Sequence, residues 1–362
     1  MAGALACGVI SIMVSRIGAE ILKQFPHGLK LYEEKWLRGT CGFAAGILFG
    51  VNSALWSQAV MADPWSLSIL FLCLVLCLLM RWVYEPVQKR YLYGAAFCYG
   101  LLLTNSQIHF AFMPAIPFLV AMGNLRVGRD MFLSGFILFL FWATTDIFGI
   151  LPFRREFGTK FRFIFILLGV LTSLLGVVLV IKTRRAFSEI KIIIICYVCF
   201  LFGLSLYFYY PIGSMTDPPM NWAYPRTIEG YFHLITRGQY EEMHPTDNIG
   251  RFLGQAWMYL KVTWNAFGWP YLPVVIVPFL YLHRLGKVEQ KWILGLSASF
   301  IFLAFLMIVV VNPDRAIGSD NGPWSDCAFI SSSYVILAVW FGYGLTLLGI
   351  LLTKRANSRH PD

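Results

Sequence analysis

The chain has 362 residues, 58% of them hydrophobic and only 13% charged, with a mean hydropathy of +0.67. Soluble domains carry about a quarter charged residues, so this composition excludes an ordinary soluble domain. The net charge of +10 does not mark a nucleic-acid binder. Lys and Arg sit in short connectors beside apolar runs, as at Lys182, Arg184 and Arg185, which is the positive-inside pattern of membrane proteins.

Apolar runs of roughly 18 residues or more recur along the chain and predict membrane-spanning helices, because in hydrocarbon each backbone amide must be satisfied within its own segment. The fold class expected is all-α: a polytopic helical membrane protein of about eleven spans with one structured non-cytoplasmic loop. Ala4–Ile21 opens the series without a basic leader, its first positive residue being Arg16. Leu22–Arg38 mixes charge with apolar residues and reads as an interfacial segment. Thr40–Val60 and Ser66–Val83 follow, then a hairpin of two short arms, Leu92–Leu103 and Phe110–Met122, joined through Thr104-Asn105-Ser106-Gln107. Met131–Leu151, Phe163–Ile181 and Ile190–Tyr210 complete a region 1–210 of about eight spans. Arg126 and Arg129 are expected on the connector before Met131–Leu151, and Asp146 inside a span with Arg154 and Arg155 as nearby partners. Region 211–268 is the long polar and aromatic loop. Region 269–362 supplies Trp269–Leu282, Trp292–Val311, Ala328–Leu352 and a basic tail.

The loop collects the residues best suited to chemistry. Asp217-Pro218-Pro219-Met220-Asn221-Trp222 is a stiff segment in which Asp217, Asn221 and Trp222 offer polar groups and a flat apolar face to a sugar or lipid headgroup. The plainer alternative is a surface loop anchored by an interfacial Trp. Thr227–Arg237 has apolar residues at Ile228, Tyr231, Phe232 and Ile235, the spacing of a short amphipathic helix, with Arg226 and Arg237 at its ends. Arginine suits bidentate phosphate contact, although both could equally meet anionic lipid headgroups. Asp247–Asn265 is a second amphipathic candidate, lying on the membrane. Asp63 before Pro64 reads first as a helix N-cap followed by Pro at N1, and second as a general base. The six histidines are scattered without ligand spacing and no nucleotide or nucleophile-elbow motif occurs, so no metal and no cofactor are expected. Six of the eight cysteines lie in apolar runs and read as small hydrophobes.

The run DPPMNWAYPRTIEGYFHLITRGQYE, with WSQAVMADPWSL, LLLTNSQ and WFGYGL, resembles the DUF2723 membrane proteins, relatives of a vertebrate protein O-mannosyltransferase. The resemblance implies a GT-C-type glycosyltransferase that takes a sugar, mannose among the candidates, from a polyprenyl-phosphate carrier to a protein or glycan acceptor on the non-cytoplasmic side. It implies Asp63 as a base beside a main base in an earlier loop, Arg226 and Arg237 at the lipid phosphate, and Asn221 and Trp222 at the sugar. The implied partners are the lipid bilayer, the polyprenyl-linked sugar and the acceptor, with no nucleic acid. The family's pattern places a further span and an acidic outer loop before the segment matched here, so a truncated chain is expected. Family members carry Glu at the position of Asp63 and His at the position of Ser106. The alternative from a different class is a non-catalytic membrane protein that binds or helps move a lipid-linked glycan.

Overall fold

The computed structural model describes residues 1–25, 28–61, 64–148, 159–219, 221, 224–235, 245–246, 248–268, 270–313 and 325–359. Among these the chain is helical without strands. The helices are α1 Ala2–Leu22, α2 Leu31–Gly50, α3 Ser53–Val60, α4 Trp65–Tyr84, α5 Arg90–Asn105, α6 Ala115–Gly123, α7 Leu125–Phe148 and α8 Thr159–Thr183. They continue with α9 Ile190–Leu204, α10 Tyr209–Ser214, α11 Ile228–Ile235, α12 Ile249–Phe267, α13 Leu272–Leu280, α14 Lys287–Ile301, α15 Met307–Val311 and α16 Ser325–Arg359. A 3-10 segment, Gln107–Phe112, separates α5 from α6, and a π-helical turn, Phe302–Leu306, joins α14 to α15.

Seven helices are long and apolar enough to cross a membrane, or eight if α2 and α3, bent by 65°, form one span. The chain is an integral, multi-pass membrane protein. The remaining segments of the expected eleven fall on α5, α6 and α13, which have 16, nine and nine residues. A straight span needs about 20 residues at 1.5 Å rise. Ser106 leaves α5 in an extended conformation, Pro114 precedes α6 and Pro278 lies inside α13, so none of the three reaches that length.

The bundle is built around α16, the most buried of the spans, at 72%. It packs on α1, α2, α3, α4, α13 and α14, so the C-terminal helix completes the core begun by the first four. By contrast α8, only 11% buried, rests mainly on α7 and turns Phe163, Leu167, Leu174 and Ile181 outward. In a soluble protein such a helix would be unstable; in a bilayer the exposed face meets lipid.

Helices α5 and α9 approach most closely where two glycines face each other. A Cβ on Gly203 would overlap the Phe97 carbonyl oxygen and come 3.0 Å from Gly100 Cα. Stacked rings, Phe97 on Phe202 and Tyr99 on Phe200 with centroids 5.7 Å apart in both pairs, close the seam on either side. Small residues permit such contact, which replaces the hydrophobic driving force that lipid removes. Gly203→Ala is therefore expected to destabilise by about 1–3 kcal/mol through overpacking. Gly39→Ala in α2, whose Cβ would meet open space, should be neutral or slightly stabilising. Thermal unfolding of both variants in detergent checks the contrast, and equal melting temperatures would refute the seam.

At the bundle end opposite the long loop, α7 starts earlier than the apolar run suggests. Asn124 Oδ1 accepts from the Arg126 and Val127 amides and caps a helix beginning at Leu125. The expectation that Arg129 lies on a connector is thereby corrected: it is fully buried in α7 and paired with Asp130, their N···O distance being 2.6 Å. Arg129 also donates to Thr183 Oγ1 and Ser188 Oγ, and Asp130 accepts the backbone amides of Phe187 and Glu189. The pair thus grips the α8–α9 connector, in which Arg184 and Phe187 hold left-handed φ values of 52° and 54°. That conformation is strained for non-glycine residues, and the buried contacts hold it in place.

Candidate functional site

The polar residues that meet at the loop end of the bundle converge on the connector Asn105-Ser106-Gln107. The run of helical residues stops at Asn105, whose side-chain amide reaches across to α4. Asn105 Nδ2 donates to the Pro64 carbonyl at 2.8 Å and to Ser68 Oγ at 2.6 Å. Two residues on, Gln107 Nε2 donates to the carbonyl of Ile235 at 2.8 Å, the last residue of α11. Three segments distant in sequence, the turn before α4, the α5–α6 connector and the loop helix, are thus joined by amide donors on one short stretch.

Beneath this connector lies a buried polar core. His109, wholly inaccessible, places Nε2 2.9 Å from Ser332 Oγ of α16 and Nδ1 3.3 Å from the Ser106 carbonyl. Tyr99 donates its hydroxyl to the His109 carbonyl at 3.1 Å. Trp65, the first residue of α4, covers the imidazole, with ring centroids 6.2 Å apart, and meets Phe329 edge-on. Ser331, Ser332 and Ser333 are all buried. Ser333 Oγ pairs with the Tyr259 hydroxyl at 2.8 Å, and Thr263 donates to the Tyr334 hydroxyl.

Those last contacts orient α12. Asn248 caps its start through the Gly250 amide, and Gly268, with φ of 80°, ends it. Its buried residues are Gln255, Tyr259, Thr263 and Phe267, a mostly polar stripe at helical spacing. Gln255 bonds Asn312 Oδ1 and the Pro313 carbonyl, and Thr246 joins the same group. Ile249, Leu253, Trp257, Leu260 and Trp264 face outward. The helix is inside-out relative to a soluble one, with its polar stripe on the bundle and its apolar stripe free to meet lipid. At its end, Asn52 Nδ2 donates to the Ala266 carbonyl at 3.2 Å, linking α12 to the bend between α2 and α3.

The loop residues singled out by sequence are distributed as follows. Asp217, in a left-handed conformation with φ of 47°, pairs with Arg226 at 2.7 Å, and the Arg226 guanidinium lies over the Tyr224 ring. Both members are solvent-exposed, so the ion pair closes the loop Asp217–Arg226 without contributing much to stability. Asn221 engages its amide on Ser214, accepting from Oγ at 2.9 Å, which ties the loop to the end of α10. Ile228–Ile235 is helical as the spacing predicts; Thr227 Oγ1 caps it through the Gly230 amide, and Tyr231 stacks on Phe208. Asp63, Trp222 and Arg237 lie outside the described residues, as do Arg154 and Arg155 and the side chain of Asp146. Asp63 immediately precedes the Pro64 held by Asn105, and Arg237 follows two residues after the Ile235 held by Gln107.

Residues 1–128 match the family model of the Protein O-mannosyl-transferase TMEM260 N-terminal domain. The matched stretch runs from α1 into the start of α7 and contains both Asp63 and the Asn105–Gln107 connector. Over that stretch, about a third of the chain, the sequence is similar to an O-mannosyltransferase-like family; the match does not reach the narrower DUF2723 grouping. No curated protein and no solved structure matches the chain.

Sequence reading missed the roles of Asn105, Gln107, His109 and the Ser331–Ser333 run. The signal was present as amide side chains at a break between two short apolar arms and as three consecutive serines in an apolar run. The WFGYGL motif lies elsewhere: Trp340 packs edge-on against Phe279, and the Tyr343 hydroxyl faces that of Tyr84 at 3.5 Å. It is a packing element of α16.

Burial lowers the His109 pKa from 6.5 to about 4, partly offset by its bond to the Ser106 carbonyl. A histidine whose folded pKa is lowered favours the neutral form, so its contribution is complete above pH 6.5 and is lost as pH falls towards 4. The fall should approach about 3 kcal/mol across that window. His109→Gln should flatten this part of the stability–pH curve, whatever its effect at pH 7.5. Melting temperatures at half-unit pH steps provide the check, and an unchanged slope would reject the assignment.

Proposed function

We propose that the protein is a membrane glycosyltransferase that moves a sugar, mannose first among candidates, from a polyprenyl-phosphate carrier to a hydroxyl acceptor at the loop end of the bundle, on the non-cytoplasmic side. The observation that carries this reading is the match of residues 1–128 to an O-mannosyltransferase domain. The convergence of the Pro64 turn, the Asn105–Gln107 connector and α11 at one end supports it.

In this reading the Asp63 carboxylate takes the proton of the acceptor hydroxyl. The acceptor oxygen forms a bond to the anomeric carbon as the bond from that carbon to the phosphate oxygen breaks. The electron pair leaves with the polyprenyl phosphate, and Arg226 and Arg237 stabilise the charge that develops there. Arg226 carries five N–H donors and only Nη1 is engaged by Asp217, so the loop can exchange that exposed pair for a phosphate. Asn221 and Trp222 would border the sugar, and the outward stripe of α12 would sit in the leaflet from which the carrier arrives.

The test is transfer of radiolabelled mannose from a polyprenyl-phosphate mannose to serine- and threonine-containing peptides, with the purified protein in liposomes. Labelled product above a protein-free control supports the proposal. Donor binding without transfer would favour a lipid-glycan binding protein, and neither binding nor transfer would reject the reading for this donor.

A further inference from the structure

Two side-chain amides, two residues apart, hold two segments that the proposed reaction needs in register. Asn105 holds the turn that follows Asp63, through the Pro64 carbonyl and Ser68 Oγ. Gln107 holds the end of α11, through the Ile235 carbonyl, two residues before Arg237 in sequence. Neither residue is needed to finish a helix. The α5 helix already ends at Asn105, and the Ser106 amide bonds the Leu102 carbonyl without help from either side chain. The peptide between them is in turn fixed from below, where the Ser106 carbonyl meets His109 Nδ1 and Nε2 of the same ring meets Ser332. The connector is therefore braced against α16, and its two amides reach separate segments, the turn before α4 and the end of α11.

We propose that Asn105 and Gln107 are positioning residues, which set the Pro64 turn, next to Asp63 in sequence, and the end of α11 at a fixed separation. This rests on the transferase reading above. Each acts through a backbone carbonyl and touches no reacting atom, so the effect is geometric. Misplacing a reacting group by about 1 Å can lower the rate about 100-fold without altering the groups themselves. The two residues should also separate kinetically. Asn105 governs the proton-accepting side and should act on kcat, while Gln107 governs the side that grips the donor and should act mainly on its KM.

The isosteric changes Asn105→Asp and Gln107→Glu remove the N–H donors while keeping shape. Spin labels on Met61→Cys and Ile228→Cys, both at exposed positions, report the separation of the two segments by electron–electron distance measurement in a background lacking reactive native thiols. The wild type should give a narrow distribution and both isosteric variants a broadened one. With polyprenyl-phosphate mannose as donor, N105D should lower kcat about 10- to 100-fold at unchanged donor KM. Q107E should raise donor KM at least fivefold. Distances and kinetics both at wild-type values would overturn the proposal, as would kinetic loss with an unchanged distance distribution. The distance measurement needs no turnover. A wild-type protein that transfers nothing would therefore remove the transferase reading, while the distribution would still decide whether the connector sets the separation.

Discussion

Asp130→Asn is expected to destabilise the protein by about 3–5 kcal/mol, the range for breaking a buried ion pair by removing one member. Both side chains are fully inaccessible, so the variant leaves the Arg129 guanidinium without its counter-charge. The replaced carboxylate also accepts the Phe187 and Glu189 amides, and an asparagine can satisfy those with one oxygen only. The strained φ values at Arg184 and Phe187 then lose part of what holds them. Removing both charges, as Arg129→Met with Asp130→Leu, should recover part of the loss, because no unpaired ion remains. Recovery is incomplete, since Thr183, Ser188 and the two backbone amides keep their polar groups and lose their partners. Thermal unfolding in nanodiscs gives the ranking: wild type above the double variant, and the double variant above D130N. A D130N melting temperature equal to wild type would show that the pair adds nothing to stability.

The second large effect belongs to the proposed reaction. With Asp63 as the proposed general base, Asp63→Asn should lower mannosyl transfer by about 100- to 10,000-fold, the usual contribution of such a group. Asparagine keeps the shape of the residue before Pro64 but cannot take up a proton. The melting temperature is accordingly expected to stay within a few degrees of wild type. Asp63→Glu should retain measurable transfer, because the side chain keeps its carboxylate and gains only one methylene. If D63N transfers at the wild-type rate, the base lies elsewhere; a capping role is not the alternative, because α4 starts at Trp65 with Pro64, and not Asp63, at its N-cap. If D63N and D63E are equally inert yet bind donor normally, the turn tolerates only one carboxylate length, which ties activity to the placement held by Asn105.

The differences between sequence and structure have identifiable causes. The start of α7 was misplaced because the apolar run begins at Met131, whereas the helix is started by the Asn124 cap seven residues before. A charged first turn is unfavourable in lipid unless its charges are paired, and the pairing partners, Thr183, Ser188 and the backbone of Phe187 and Glu189, come from over 50 residues away. For α12 the helical spacing was visible, but not the direction of its faces. The structure puts Gln255, Tyr259 and Thr263 inward because polar groups just after α15 and buried ones on α16 bond them. The loop motif around Asp217 was legible as rigid and polar. That Asp217 and Arg226 pair, and that Asn221 turns to Ser214, followed only from a backbone that reverses through a left-handed residue at Asp217.

What the sequence determined by itself is the membrane class, the helical fold and the set of motifs, since each follows from local hydropathy, backbone satisfaction and residue spacing. What the tertiary structure alone decided is which of those motifs act together. Hydrogen bonds between segments depend on directions and depths that no local pattern encodes. Asn105 and Gln107 look like any polar turn until Pro64 and Ile235 are brought beside them. Likewise, Arg129 looks like a connector charge until burial in low dielectric makes its pairing with Asp130 obligatory.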